Sequence, residues 1–451
     1  LIQLKLLLNN NKYTLFDKKA LSCDKAFFIP TYMLQRDIPP FFTTDFSISL
    51  EPAETSRLNG NIPTHVLKSS TIEVFRLEVI YPVGLLNAPN LETGHFITRL
   101  MALGTHSRSA LQIAEDFEKL GGFFDINLGN FKTTFTLHGM SKYFEQYLPV
   151  LLDVIYNSTF PSSEIEIQKK QAEQSHLINA KKSAFVAQRE FKEVLYGAAS
   201  LMGQTLNLNQ IQRLNKEELS AFHTYALAES SFEIYICGNV TDTQLKNLEE
   251  VLSGISSSKK LATPDFPEKR SAENRTVSLE DSVQSTLTIG KRLFNRTHPD
   301  FHKFLVTNTV FGGYFGSRLM KNIREDKGLT YGISSSLVSN LVDGVFSIKA
   351  DLNKEKLDEA ISEVHKEIIC LKTEPVSESE LSTVKNYIKG NILNGTNTIF
   401  DIMDKHKAIA TEGLPEDFYE TLSDKIQSVT QEDIIEMANK HLNDFSTIIA
   451  G

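Results

Sequence analysis

The chain is poor in the features that announce several common protein classes. Its three cysteines, Cys23, Cys237 and Cys370, are far apart and form neither a C-x-x-C pair nor a zinc-finger spacing. They read as small buried hydrophobes, with no redox or metal role expected. No stretch reaches the ~18 apolar residues of a membrane-crossing helix. Positive charge is short as well: 47 Lys and Arg stand against 56 Asp and Glu, a formal net charge of −9. With no basic run to neutralise phosphates, nucleic acid is excluded as an expected partner. The nucleophile pattern G-x-S-x-G is missing. Gly312-Gly313 with Gly316 lacks the Lys-Ser/Thr that would make it a P-loop, so it reads as a turn after a helix.

What is present is apolar material for substantial cores, 41% of 451 residues, in a length that suits two to four domains. The first methionine is Met33. Residues 1–32 are rich in Lys and Asn, Lys5 breaks the one Leu cluster, and no apolar h-region precedes Cys23. The natural start is expected at Met33, with residues 1–50 as an N-terminal extension. A secretory signal is not supported; a cytoplasmic location is favoured and periplasmic export is left open.

The rest reads as a duplication. In the first half, Leu120-Gly121-Gly122 ends a helix and opens alternating strands over Phe123–Leu128 and Thr133–His138. In the second, Lys327-Gly328-Leu329 does the same, followed by a strand from Gly344. An amphipathic helix follows each time. Tyr143 to Ile155 carries Leu148, Leu151, Leu152 and Ile155, and Leu357 to Leu371 carries Ile361, Val364, Ile368 and Ile369. Then come Pro161-Ser162-Ser163-Glu164 and Pro375-Val376-Ser377-Glu378, two helix starts with N-cap chemistry, offset by 375 − 161 = 214. The closing strands, ending at Gly238 and Gly451, give 451 − 238 = 213. Two separate motifs thus agree within one residue. The expected fold is α+β: two homologous α/β sandwich halves with antiparallel-rich sheets, residues 51–253 and 276–451, joined by a Ser-, Lys- and Pro-rich linker at 254–275.

The segment His95-Phe96-Ile97-Thr98-Arg99-Leu100-Met101-Ala102-Leu103-Gly104-Thr105 resembles the zinc helix of the pitrilysin and mitochondrial processing peptidase family, whose pattern is H-[FL]-x-E-H-x-x-x-x-G-T. The first His, the Phe and the Gly-Thr are in place. Thr98 replaces the catalytic Glu, and Arg99 replaces the second zinc-binding His. Residues four apart share a helical face, so His95 and Arg99 point the same way. A guanidinium there stays charged. At 4 Å and an effective dielectric of 20 it repels a unit charge by roughly 4 kcal/mol, and a divalent ion doubles that. Thr98 cannot take a proton from metal-bound water near neutral pH. The resemblance places the third ligand at the second Glu of an E-x₆-E pattern, here aligned with Gln168 and Ser175; a register slip of two would bring Glu173 there instead. One ligand of three remains, so this chain is expected to bind no zinc.

A second segment, Arg324-Glu325-Asp326-Lys327-Gly328-Leu329-Thr330-Tyr331, resembles the family's R-E-x-x-G-L-x-Y motif. The resemblance implies that Arg324 and Tyr331 bind peptide and stabilise the oxyanion at the scissile carbonyl, a task for a fixed cation and a phenolic donor. The bland alternative pairs Arg324 with a nearby carboxylate and packs Tyr331 at a strand start. Val283-Gln284 with Ile289-Gly290, His298-Pro299-Asp300-Phe301, and Phe311-Gly312-Gly313 with Ser317-Arg318-Leu319 extend the resemblance in order, so that it covers roughly Arg57 to Gly451. His298 and His302, four apart, read as no metal pair, because Pro299 starts the helix between them.

The resemblance implies a clamshell of two halves around an extended peptide, and a divided active site. This chain would supply Arg324 and Tyr331; a zinc-bearing homologous partner would supply metal and base in peptide hydrolysis. The alternative is a structural or peptide-binding protein with no catalytic role.

Overall fold

Two β-sheets of matching plan organise the chain. The structure, a computed structural model, describes residues 48–228, 230–255, 264–280 and 282–451. Residues 1–47, which hold most of the expected extension and Cys23, lie outside the described residues, as do residues 256–263 of the expected linker.

The strands are β1 Glu54–Leu58, β2 Ile62–Lys68, β3 Val74–Tyr81, β4 Phe123–Leu128, β5 Thr133–Met140, β6 Glu233–Gly238, β7 Arg275–Val277, β8 Gln284–Leu293, β9 Thr330–Ser339, β10 Gly344–Asn353 and β11 Ser446–Ala450. The first sheet runs β1-β2-β6-β3-β5-β4 and the second β7-β11-β8-β10-β9. Without the edge strand β1 the two orders map onto each other strand for strand. In each sheet the closing strand returns to lie between the first two, parallel to the first (β2 with β6, β7 with β11) and antiparallel to the second. All other pairs are antiparallel. This is the duplicated, antiparallel-rich α+β fold expected from the sequence.

The matched glycines at the two closing strands have a physical reason. Gly238 and Gly451 both take positive φ, +112° and +155°. A Cβ on Gly238 would meet the Val74 carbonyl oxygen at 2.3 Å, and one on Gly451 would meet Ser285 at 2.5 Å. In each half the glycine lets the closing strand end against the start of its antiparallel neighbour.

The helices are α1 Leu91–Met101, α2 Ala110–Glu118, α3 Phe144–Asn157, α4 Ser162–Asn179, α5 Ser183–Tyr196, α6 Leu208–Arg213, α7 Lys216–His223, α8 Asp242–Leu252, α9 Phe301–Asn308, α10 Leu357–Thr373, α11 Glu378–Asn394, α12 Ile399–Glu412, α13 Phe418–Ser428 and α14 Gln431–His441. One expected cap forms: the Ser377 side chain accepts from the Glu380 N–H at 3.2 Å. Its counterpart does not, since Pro161 occupies the cap of α4 and offers no side-chain acceptor. The expected core face of α10 is corrected at one position. Ala360, Val364, Ile368 and Leu371 are buried, whereas Ile369 is exposed. It follows Ile368 by one residue and so points about 100° away.

The first core joins β3 and β5 to α1 and α3 through Phe75, Leu77, Phe135, Leu137, Phe96 and Phe144, all essentially inaccessible. The opposite faces of the two sheets are covered by exchange. Helix α5, from the first half, lays Val186, Phe191 and Val194 against Ile448 and Ala450 of the second sheet. Helix α12, from the second half, lays Met403 against Leu67, Ile80, Tyr235 and Cys237 of the first. Burial pushes the Cys237 thiol up to about 12, as befits an inert packing cysteine.

An ion cluster fastens α12. Arg76 and Glu78 lie buried on β3. Arg76 forks onto Asp404 at 2.8 and 3.2 Å and donates to the Phe400 carbonyl at 3.1 Å. Its Nε lies 3.2 Å from Glu78, close but not aligned as a hydrogen bond. Lys407 donates to both Glu78 oxygens at 2.7 and 2.9 Å. Removing one buried partner strands the others. Arg76→Met is expected to cost about 3–5 kcal/mol. The double replacement Arg76→Met with Glu78→Leu should cost less than the single one, because no charge is left uncompensated on β3. Denaturant melts of both variants check this; equal or additive losses would show that the cluster is not coupled.

Candidate functional site

Helix α1 carries the degenerate motif. Its N-cap is Asn90, whose side chain accepts from the Thr93 N–H at 2.8 Å. Phe96, Ile97, Leu100 and Met101 face the core, which turns His95, Thr98 and Arg99 the other way. His95 and Thr98 are half-buried and Arg99 is exposed. Burial, and then the charge of Arg99, push the His95 imidazole down to about 4.

The retained parts of the motif do structural work. Phe96 is fully buried. Thr105, after Gly104, donates to Asp153 of α3 at 2.6 Å, and Ser107 and Arg108 donate to the same oxygen at 2.6 Å each. Burial works against the Asp153 charge, yet these bonds hold its carboxyl below the usual range. The Phe and Gly-Thr signatures are therefore explained by packing and one buried anchor, without any metal.

Ser175 is exposed on α4, a helix that packs against α1. Glu173, the alternative match, accepts a hydrogen bond from Gln212 of α6. The donor set at these positions is one imidazole, one guanidinium, one threonine hydroxyl and one serine hydroxyl. It does not fit Zn²⁺, which needs three or four N, S or carboxylate ligands. Among the described residues no three His, Cys, Asp or Glu side chains are grouped to hold a metal ion. The pair His298 and His302 is likewise not convergent. His298 stacks on Phe294 at 4.2 Å and accepts from the Asp300 N–H, while His302 packs on Phe418.

A buried acid on the same helix was not singled out from the sequence. Glu92 is 2% exposed. One of its oxygens accepts from the Asn207 N–H at 2.8 Å; the other has no partner among the described residues. In sequence it is an ordinary acidic residue in a first helical turn, and only the fold shows it enclosed.

Arg324 and Tyr331 flank a tight change of direction. A helical segment, Met320–Asp326, carries Arg324, and Tyr331 is the second residue of β9. Gly328, at φ +62°, makes the turn between them. The N–H groups of Gly328 and Leu329 return to the carbonyls of Arg324 and Ile323 at 3.2 and 2.9 Å, a capping arrangement that favours glycine. Tyr331 is 91% exposed. The Arg324 guanidinium lies 4.6 Å from the centre of the exposed Phe315 ring. Among the described residues it makes no ion pair and no side-chain hydrogen bond. Strand β9 is the edge of its sheet, and its outward residues Tyr331, Ser334, Ser336 and Val338 are exposed.

Comparison with known proteins agrees with this geometry. Residues 69–206 match the family model described as Insulinase (Peptidase family M16), and residues 213–388 match the one described as Peptidase M16 inactive domain. An uncharacterized zinc protease of Rickettsia felis is 26% identical over 87% of this chain and 95% of its own length. The non-peptidase homolog YmxG of Helicobacter pylori is 22% identical over 77% of this chain and 81% of its own. Mitochondrial-processing peptidase subunit beta of Bos taurus is 23% identical over 81% and 76%. Among solved structures, the peptidase M16 inactive domain from Pseudomonas fluorescens superimposes with a TM-score of 0.81 at 22% identity, over 88% of this chain and 98% of that one. The chain belongs to the M16 peptidase family. Within it, the absence of the base and of the second ligand on α1, at Thr98 and Arg99, makes this a catalytically incomplete member.

Two outcomes follow. Elemental analysis of the purified chain should find no stoichiometric zinc. Thr98→Glu with Arg99→His should restore only weak binding until Ser175→Glu is added. About one zinc per unmodified chain, lost in His95→Ala, would contradict the reading. The second outcome concerns acid. An imidazole depressed to about 4 stays neutral in the fold, while the unfolded chain protonates near 6.5. Stability is therefore present above pH 6.5 and is lost as pH falls toward 4. His95→Gln should lessen that acid loss by on the order of 2 kcal/mol, read from melts at pH 7 and pH 4.5; an unchanged acid loss would refute the assignment.

Proposed function

We propose that this chain is the metal-free subunit of a two-subunit peptidase: it binds peptide and contributes Arg324 and Tyr331 to the active site of a zinc-bearing homologous partner. The observation that carries the proposal is the condition of these two side chains. A structural role predicts an ion-paired Arg324 and a packed Tyr331. Instead, among the described residues, the guanidinium has an aromatic neighbour and no ion pair, and the phenol is 91% exposed. A cation on the helical segment before β9 and a phenolic donor on its edge strand, neither with an ion-pair or packing partner among the described residues, suit a ligand from outside.

The setting suits an extended peptide. An edge strand offers unpaired backbone groups along its outer side, the usual means of holding a strand-like ligand. Tyr331 would then donate a hydrogen bond from its hydroxyl to the carbonyl oxygen as negative charge develops there, and Arg324 would favour that charge over short range. The metal and general base belong to the partner, since α1 provides neither. The bovine relative's own name describes it as one subunit of a peptidase, which supports the search for a partner here.

The isolated chain should show no peptidase activity, and activity should appear on mixing with a zinc-bearing homologue from the same organism. Chelator-sensitive cleavage by the isolated chain would refute the divided site. Within the complex, Tyr331→Phe should lower kcat by up to about 10²–10³, less if the partner's metal carries much of the charge. Arg324→Ala should raise KM and lower kcat together. Melting curves recorded beside the kinetics separate this from a packing role, which would lower Tm and leave the kinetics of the folded protein unchanged. Full activity in both variants would leave the chain as a scaffold.

A further inference from the structure

Away from Arg324 and Tyr331, the second half holds a cavity of about 510 Å³ with an unbalanced charge. Its walls are the end of β8, the C-terminal end of α14 with the turn and strand start that follow, residues 269–272 ahead of β7, and Val194 and Leu195 of α5 from the first half. In a chain of net charge −9, the charged side chains of this wall are mainly cationic. Some of the cations are already satisfied. Arg292 is locked by Asp343 at 2.6 Å and by two backbone carbonyls at 2.8 Å. Lys440 and His441 share Asp300.

Three cations are not satisfied. Among the described residues, Lys269, Arg270 and Lys291 make no ion pair. Lys269 and Arg270 are exposed at the rim. Lys291 is only 9% exposed, and its ammonium donates to the neutral Asn443 side chain at 2.8 Å, with the Phe445 ring centre 5.6 Å away. Asp444 is the one carboxylate in the lining. Burial, and then the charge of Lys269, push Lys291 down to about 8. A buried ammonium without a counter-anion is costly, and such groups are ordinarily paired.

We propose that this cavity binds a small oligophosphate, whose oxygens supply the counter-charge that Lys291, Lys269 and Arg270 lack. The volume lies in the ordinary range for a small-molecule site. Ammonium groups act on phosphate as point charges, and a guanidinium adds a two-pronged hydrogen bond. Three cations without an ion pair stand against Asp444, whose charge favours the Lys291 ammonium, and Glu273, which is already paired with Arg275; this leaves a place for an anion of more than one charge. No Phe, Tyr or Trp lines the cavity, and the one ring in the wall, the His441 imidazole, is held by Asp300 and packed against Phe294 and Phe304, so no broad stacking face is offered to a base. The phosphate chain is what is read, whether it comes as inorganic tripolyphosphate or as the tail of a nucleotide. Once bound, it would tie the segment before β7 to β8.

Isothermal titration of the full chain with sodium tripolyphosphate, and separately with magnesium-free ATP, tests the proposal. One saturable site is expected, weakening as salt rises from 50 to 200 mM. Lys291→Met and the double variant Lys269→Ala with Arg270→Ala should each lose tenfold or more in affinity, while Lys354→Ala, distant and exposed, keeps it. Equal affinity for the two ligands identifies the inorganic anion as sufficient; tighter ATP binding identifies the nucleotide. Without anion, Lys291→Met should melt higher than the unmodified chain, since it removes an uncompensated buried charge, and it should lose the upward Tm shift that tripolyphosphate produces. If Lys291→Met does not fold, the double variant at exposed positions decides alone. The absence of saturable binding, or the same affinity in every variant, would overturn the proposal. A lowered Tm in Lys291→Met with affinity intact would also overturn it, by showing a structural lysine.

Discussion

Each sheet has a face that its own half does not cover, and the reciprocal placing of α5 and α12 meets that constraint. Helix α5 covers the second sheet and α12 the first, with Phe191 and Met403 as the inserted side chains. Neither half could be stable with such a face in water. On the first sheet the cover is also electrostatic, because β3 carries Arg76 and Glu78 on a face where β-strands usually carry Val or Ile. Asp404, Lys407 and the Phe400 carbonyl of α12, with the mutual contact of Arg76 and Glu78, make those charges tolerable. The two halves are thus one folding problem. The rigid edge strand β9, with Tyr331 at its start, belongs to the framework that this exchange holds together.

Against that framework, the two motif segments have diverged in opposite senses. In and just after α1, Thr98 and Arg99 depart from the family pattern, His95 is kept, and the positions that serve packing remain: Phe96 fills the core, and Thr105 anchors Asp153. At the second segment, the conformational residue Gly328 is in place, and so are the two side chains with no packing duty, Arg324 and Tyr331. A cation facing only an aromatic ring, beside a nearly fully exposed tyrosine, is poor evidence of a stabilising role. Those side chains make more sense as half of a site completed by another molecule.

Much of this was legible in the sequence, for physical reasons that can be named. Strand Phe123–Leu128 was located to the residue because its alternation is bounded by glycine and turn residues. The repeat showed itself through Gly238 and Gly451, where a side chain would collide with the neighbouring strand. The departure from the family's zinc pattern was legible because metal chemistry demands particular residue types at fixed spacing, and Thr98 and Arg99 do not match that pattern. The exchange of α5 and α12 was not legible, since periodicity reveals that a helix has an apolar face but not which sheet receives it. The ion cluster on β3 and the enclosed Glu92 were missed for a related reason: a charged residue reads as solvated until the tertiary partner is known. Ile369 was misplaced because two adjacent isoleucines fit one helical face equally well on paper, and only packing chose Ile368.

The central claim is that Tyr331 is presented to a zinc-bearing partner and its peptide. It is tested most directly by placing the photo-crosslinking residue p-benzoylphenylalanine at position 331 and irradiating the chain co-expressed with its homologues. Mass spectrometry then maps the adducts. The account predicts crosslinks to the zinc helix of an intact H-x-x-E-H homologue, or to peptide bound beside it. Crosslinks confined to this chain, or none from a complex that is shown to form, would contradict it.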